Sequence, residues 1–95
     1  MVPRFSYTNI ASATTTVVAT GTGVLHSVTI NKGVASGVIT IYDNTAGSGT
    51  KIATITEPAT LLQNQLTLLY DVSFVTGLTF VTAQADDITV AWRLG

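Results

Sequence analysis

A chain of 95 residues is the size of one domain with a thin core. Only 9% of the residues are charged, against roughly 25% in an ordinary soluble domain, and the formal net charge is −1. The lack of cysteine excludes a disulfide framework and a thiolate metal site. The four cations (Arg4, Lys32, Lys51 and Arg93) are scattered and form no basic stripe for a nucleic-acid backbone, and no apolar run reaches the roughly 18 residues of a membrane-spanning helix.

Residues 1–13 read as an N-terminal arm, and residues 14–95 as a single β domain. The arm holds Pro3, Arg4, Phe5 and Tyr7 and does not alternate cleanly; a short edge strand is all it is expected to contribute. It lacks the charged start and apolar run of a signal peptide, so export by that route is not expected. Thr14–Thr20 is a β-branched run and reads as a strand. Gly21-Thr22-Gly23 then turns the chain. It is not a phosphate-binding fingerprint, because a strand and not a helix follows it.

Gly23–Asn44 reads as two strands around a glycine-containing turn, that is, as a plain hairpin. In the first strand Val24, His26, Val28 and Ile30 are expected on one face, and Leu25, Ser27, Thr29 and Asn31 on the other. In the second, Ile39 and Ile41 share a face with Asp43. A polar loop over Asp43–Gly49 leads to a strand at Thr50–Thr56, where Ile52 and Ile55 fall out of phase. Leu61–Leu66 reads as a loop or one helical turn. Beyond it Leu66, Leu68, Tyr70, Val72 and Phe74 alternate with Thr67, Leu69, Asp71 and Ser73. Leu78 and Phe80 point inward, and Ile88, Val90, Trp92 and Leu94 close the chain. Phe74, Phe80 and Trp92 are the expected anchors of the core, each contributing roughly 1.5–3 kcal/mol on burial. Seven or eight short strands with turn signals between them specify an all-β fold: a small antiparallel β-sandwich, jelly-roll-like.

Catalytic chemistry has little to draw on. His26 is the single histidine and lies mid-strand, where a packed structural role is expected. No second histidine or cysteine is present to complete a triad or a zinc site. Asp43, Asp86 and Asp87 sit at strand ends, where aspartate ordinarily caps its own turn. Two of them meeting in space could hold calcium, but no calcium-loop spacing is present, and neither metal nor cofactor is expected. High mean hydropathy (+0.48) with few charges implies that subunits cover part of the apolar surface.

Three stretches carry a resemblance: GVLHSVTIN, VITIYDNTAGSGTKIATI and YDVSFVTGLTFVTAQADDITVAWR. In them the chain resembles a group of small phage virion proteins, over most of residues 20–93. The resemblance implies a non-enzymatic, capsid-associated sandwich: a decoration (cement) protein, often trimeric, bound to the major capsid protein on the mature head. It implies virion localisation after synthesis in the host cytoplasm, and no nucleic-acid or membrane partner. A head-fibre or tail adhesion module recognising a host surface glycan is the alternative, for which Tyr42 beside the Asp43–Gly49 loop is expected to be exposed. On the capsid reading, Val2, Pro3, Arg4, Phe5 and Tyr7 are the expected contact residues.

Overall fold

The protein is described by a computed structural model covering residues 5–60 and 65–95. Eight strands follow one another: β1 (Ser6–Ile10), β2 (Thr14–Thr20), β3 (Gly23–Lys32), β4 (Val38–Asp43), β5 (Thr50–Thr56), β6 (Leu66–Phe74), β7 (Gly77–Thr82) and β8 (Asp87–Leu94). Among the described residues there is no helix. Leu61–Leu66 lies mostly outside the described residues, and Leu66 itself opens β6. Of the stretch read as an arm, Ser6–Ile10 is an edge strand of the sandwich, with Ile10 buried in the core.

The strands form two four-stranded antiparallel sheets, ordered β1-β8-β3-β6 and β2-β7-β4-β5. The pairs β1·β8, β2·β7, β3·β6 and β4·β5 each sum to nine. The chain is therefore one long hairpin, folded at the β4–β5 loop. The hairpin is rolled so that β8 also meets β3 and β7 also meets β4. That is the jelly-roll arrangement of a small sandwich.

Gly23–Asn44 is not a hairpin. β3 and β4 belong to opposite sheets and do not pair. Alternation tells which face of a strand is buried; it does not tell which strand lies beside it. Both strands turn a strongly apolar face inward, and those faces meet across the sandwich: Leu25, Val28 and Ile30 from one sheet, Ile39 and Ile41 from the other. The connection through Gly33 and Gly37 is long enough to cross the roughly 10 Å between stacked sheets.

The expected face assignment of β3 is also corrected. Leu25 is fully buried, although it was expected opposite Val28 and Ile30, which are buried too. A β-bulge at His26 changes the phase. Between the levels of Leu25 and Val28 the chain advances three residues on β3, two on β8 (Trp92 to Val90) and four on β6 (Val72 to Leu68). The mismatch is largest on the β6 side, and Asp71 takes a left-handed φ of 49° within that longest step. A second bulge at Ile52 explains the imperfect alternation of β5: Ala53 and Ile55 face the core, and Ile52 swings in beside them.

Phe74 and Phe80 are fully buried, as expected of core anchors. Trp92 is only partly buried; it packs at the margin of the core, with its indole N–H donating to Thr8 Oγ1 at 3.2 Å. Gly23 is where β3, β6 and β8 come closest. A Cβ there would lie 2.6 Å from Phe74 Cζ and would strike the Arg93 carbonyl oxygen. Only glycine lets the backbone approach that ring. β7 is buried on both faces, because the β4–β5 loop folds back over its outer side. Thr79, on that outer side, donates to Asn44 O at 2.7 Å, and Gly47 lies against Val81 and Thr15.

Candidate functional site

The first sheet, β1-β8-β3-β6, presents an outer face built in rows. Cross-strand register places Tyr7, Ala91, Ser27 and Leu69 in one row, and Asn9, Thr89, Thr29 and Thr67 in the next. The first row is mostly small, with a large apolar residue at each end: Tyr7 is 77% exposed and Leu69 68%. The second row is a polar ladder, in which the Thr29 and Thr67 hydroxyls lie 3.2 Å apart. A clear asymmetry follows. Among the described residues, Phe5, Tyr7 and Leu69 stand out from this outer face, whereas Leu66 and Leu94 lie at strand ends in the register rows of Ile30 and Gly23, and Val75 belongs to the β6–β7 turn between the sheets. Val17 alone lies on the other sheet.

The charged groups of this face are occupied laterally. His26 Nδ1 meets Asp71 Oδ1 at 2.6 Å. Phe5 stacks on the imidazole with ring centroids 4.2 Å apart, and the Arg93 guanidinium lies over the Phe5 ring at 5.6 Å. Asp87 accepts from Asn9 Nδ2 at 2.7 Å and from Asn31 Nδ2 at 3.1 Å. Those two amides, joined by the attraction of Lys32, outweigh a small desolvation and hold the Asp87 carboxyl below its ordinary range. The result is a face with charges but few unanswered ones, suited to a partner of low charge.

His26 and Asp71 have the orientation of the histidine and acid of a hydrolase. Among the described residues, however, no hydroxyl bonds to the ring, and an aromatic lies on it. No group of three or more His, Asp or Glu converges as metal ligands among the described residues either.

Two of the strand-end aspartates, Asp43 and Asp87, bond away from their own turns. The Asp43 carboxylate reaches across to the β6–β7 turn and accepts from the N–H groups of Thr76 at 2.8 Å, Val75 at 3.0 Å and Gly77 at 3.3 Å. Burial pulls its carboxyl upward, and these three donors together outweigh it and hold it below the ordinary value. Tyr42 is half-buried, and the loop beside it lies over β7. The aromatic platform expected for a glycan is therefore not laid open there.

Of the expected contact residues, Val2, Pro3 and Arg4 lie outside the described residues. Phe5 is fastened to its own domain through His26, and Tyr7 stands out from β1. Leu69 joins Tyr7 in the same row and was not among the expected contacts. Its signal was a lone leucine among Thr67, Asp71 and Ser73 on the outward side of β6. The His26–Asp71 pair had no such signal, since the two residues lie 45 positions apart and meet only through the bulge.

No protein-family profile, curated protein or solved structure matches the chain.

Proposed function

We propose that this chain is a non-enzymatic structural module of a phage head: a decoration (cement) protein. It forms a homotrimer, binds the major capsid protein and stabilises the mature shell. One observation carries the reading: the outer face of β1-β8-β3-β6 exposes Phe5, Tyr7 and Leu69 together, against Val17 alone on the opposite face. A free-standing monomer scatters such residues over its surface, whereas a subunit gathers them where another chain will cover them. Self-neutralised charge on the same face fits a partner surface of low charge. The resemblance to phage virion proteins supports the same reading. Two of the three stretches that carry it are bolted together, around Tyr42-Asp43-Asn44 and Phe74–Leu78, by the Asp43 carboxylate. They are thus a structural joint of the domain.

Cementing needs interface area, not chemistry; about 1,200–2,000 Å² in total is typical of a stable contact. By binding one state of a shell better than another, such a module shifts the shell towards that state. The test is cosedimentation of the full chain with mature heads stripped of accessory proteins, with its mass measured in the same buffer. Saturable binding by a trimer is expected. A folded protein that ignores the shell but binds a host glycan on an array would move the assignment to an adhesion module.

A further inference from the structure

At the opposite end of the sandwich from the Asp43 joint, two carboxyls are buried together. Glu57 follows β5 and is 6% exposed; Asp86 precedes β8 and is 0% exposed. Both aim at one donor, the N–H of Val34 in the β3–β4 loop: Glu57 Oε2 lies 2.8 Å from that nitrogen and Asp86 Oδ2 3.3 Å. Two acceptors sharing one hydrogen at such distances lie within roughly 4 Å of each other. The second oxygen of each carboxyl, Glu57 Oε1 and Asp86 Oδ1, is buried without any hydrogen-bond partner. There is little slack for water beside Asp86, since a Cβ on Gly37 would lie 3.0 Å from Oδ1.

Two negative charges removed from water at this separation repel strongly unless something positive intervenes. Among the described residues, the charged groups around them do not supply it. From β3, Lys32 stands at the register position of Asp87 and acts on that carboxyl. From β8, Asp87 is itself occupied by Asn9 and Asn31. Lys51 belongs to the other end of β5, Arg93 covers Phe5, and His26 holds Asp71. Among the described residues, what remains is a proton.

We propose that Glu57 and Asp86 share one proton at neutral pH and that this acid pair clamps the β3–β4 loop against the β5–β6 and β7–β8 connections. One O–H makes one carboxyl a donor and leaves its neighbour an acceptor, so a single proton relieves the repulsion between them. Burial also pushes the Asp86 carboxyl upward, beyond what the N–H groups of Val34 and of Asp86 itself offset. Among the described residues, the clamped loop is otherwise pinned by backbone bonds: Gly37 N–H to Val34 O at 2.9 Å, Glu57 N–H to Gly37 O at 2.8 Å, and Ser36 N–H to Pro58 O at 3.0 Å. Removing the shared proton places two charges on one N–H and loosens the clamp. In this pair the folded chain keeps a proton that the unfolded chain has lost. Its stabilisation is therefore complete below the ordinary carboxyl range and declines as pH rises through the pair's own value. The folding constant then falls by up to about tenfold per pH unit across that window, as one proton requires.

Glu57 is the only glutamate in the chain, so glutamate labelled with ¹³C at its carboxyl gives one resonance to follow. In the full chain it is expected to titrate in two steps between pH 3 and pH 9, one of them well above the ordinary range. In Asp86→Asn, whose amide is a permanent donor, the titration is expected to collapse to one low step, and the decline of stability with pH to disappear. Should that variant not fold, Glu57→Gln with labelled aspartate reports the same loss from the other side. A single ordinary step in the parent, unmoved by Asp86→Asn, would overturn the proposal. So would a neutral-pH resonance displaced by calcium and restored by a chelator, because a cation would then be what holds the pair.

Discussion

Asp43 shows how much structure one carboxylate can organise. It sits at the end of β4, yet its three donors come from the stretch joining β6 to β7, so it ties the tip of the long hairpin to a turn partway down the hairpin's second arm. Replacing it with asparagine keeps one acceptor oxygen and removes the charge. A loss of about 1–2 kcal/mol in the unfolding free energy is expected at neutral pH, read from urea titrations. The pH dependence has a definite sign. The folded carboxyl lies below its unfolded value, so its stabilisation is present above that value and is lost as pH falls through the folded one. The difference between parent and Asp43→Asn should therefore shrink in acid. Asp87, also held low, acts in the same direction, whereas a shared proton on Glu57 and Asp86 acts in the opposite one.

At the scale of strands, β7 is the keystone, because it is covered on its inner side by the core and on its outer side by the β4–β5 loop. Phe80→Ala removes a fully buried ring from it and is expected to cost about 3–5 kcal/mol. A domain of this length has about 5–14 kcal/mol in all, so the thermal midpoint by circular dichroism should drop steeply. Thr54→Ala, on the exposed side of the edge strand β5, should change stability by no more than about 0.5 kcal/mol. The inward face of Phe80 was legible in the sequence. Ile39 with Ile41, Phe74, and Ile88 with Val90 all face the core as their alternation requires. What alternation could not reveal was partnership. It led from β3 into β4 as neighbours, although only β4 and β5 form a local hairpin between consecutive strands. Nor does it survive an extra residue: the bulges at His26 and Ile52 show in the sequence only as phase errors, one of which was read as regular. For the candidate face, Phe5 and Tyr7 were visible as aromatics on a polar terminus. The row that unites Tyr7 with Leu69 depends on register, which is a property of the folded sheets.

On the scale of the whole molecule, the sandwich has two unlike sides. The outer face of β2-β7-β4-β5 is partly roofed by its own loop and otherwise rich in threonine, while the outer face of β1-β8-β3-β6 carries Phe5, Tyr7 and Leu69. If assembly uses the second side, charge placed there must disrupt it and charge placed on the first must not. Leu69→Glu and Val17→Glu make a matched pair: both replace an exposed aliphatic residue on a strand, 68% and 48% exposed respectively, and neither opens a cavity. Both variants should keep the parent's circular dichroism and unfolding midpoint to within about 0.5 kcal/mol, as surface changes do. A glutamate in the Leu69 row would have to be desolvated without a cation to meet it, so sedimentation velocity should show Leu69→Glu shifted to monomer. Val17→Glu should keep the parent's oligomeric mass. An assembly weakened by Val17→Glu and indifferent to Leu69→Glu would put the interface on the roofed side. The asymmetry of exposed apolar surface would then have to be assigned to a partner other than a second copy of this chain.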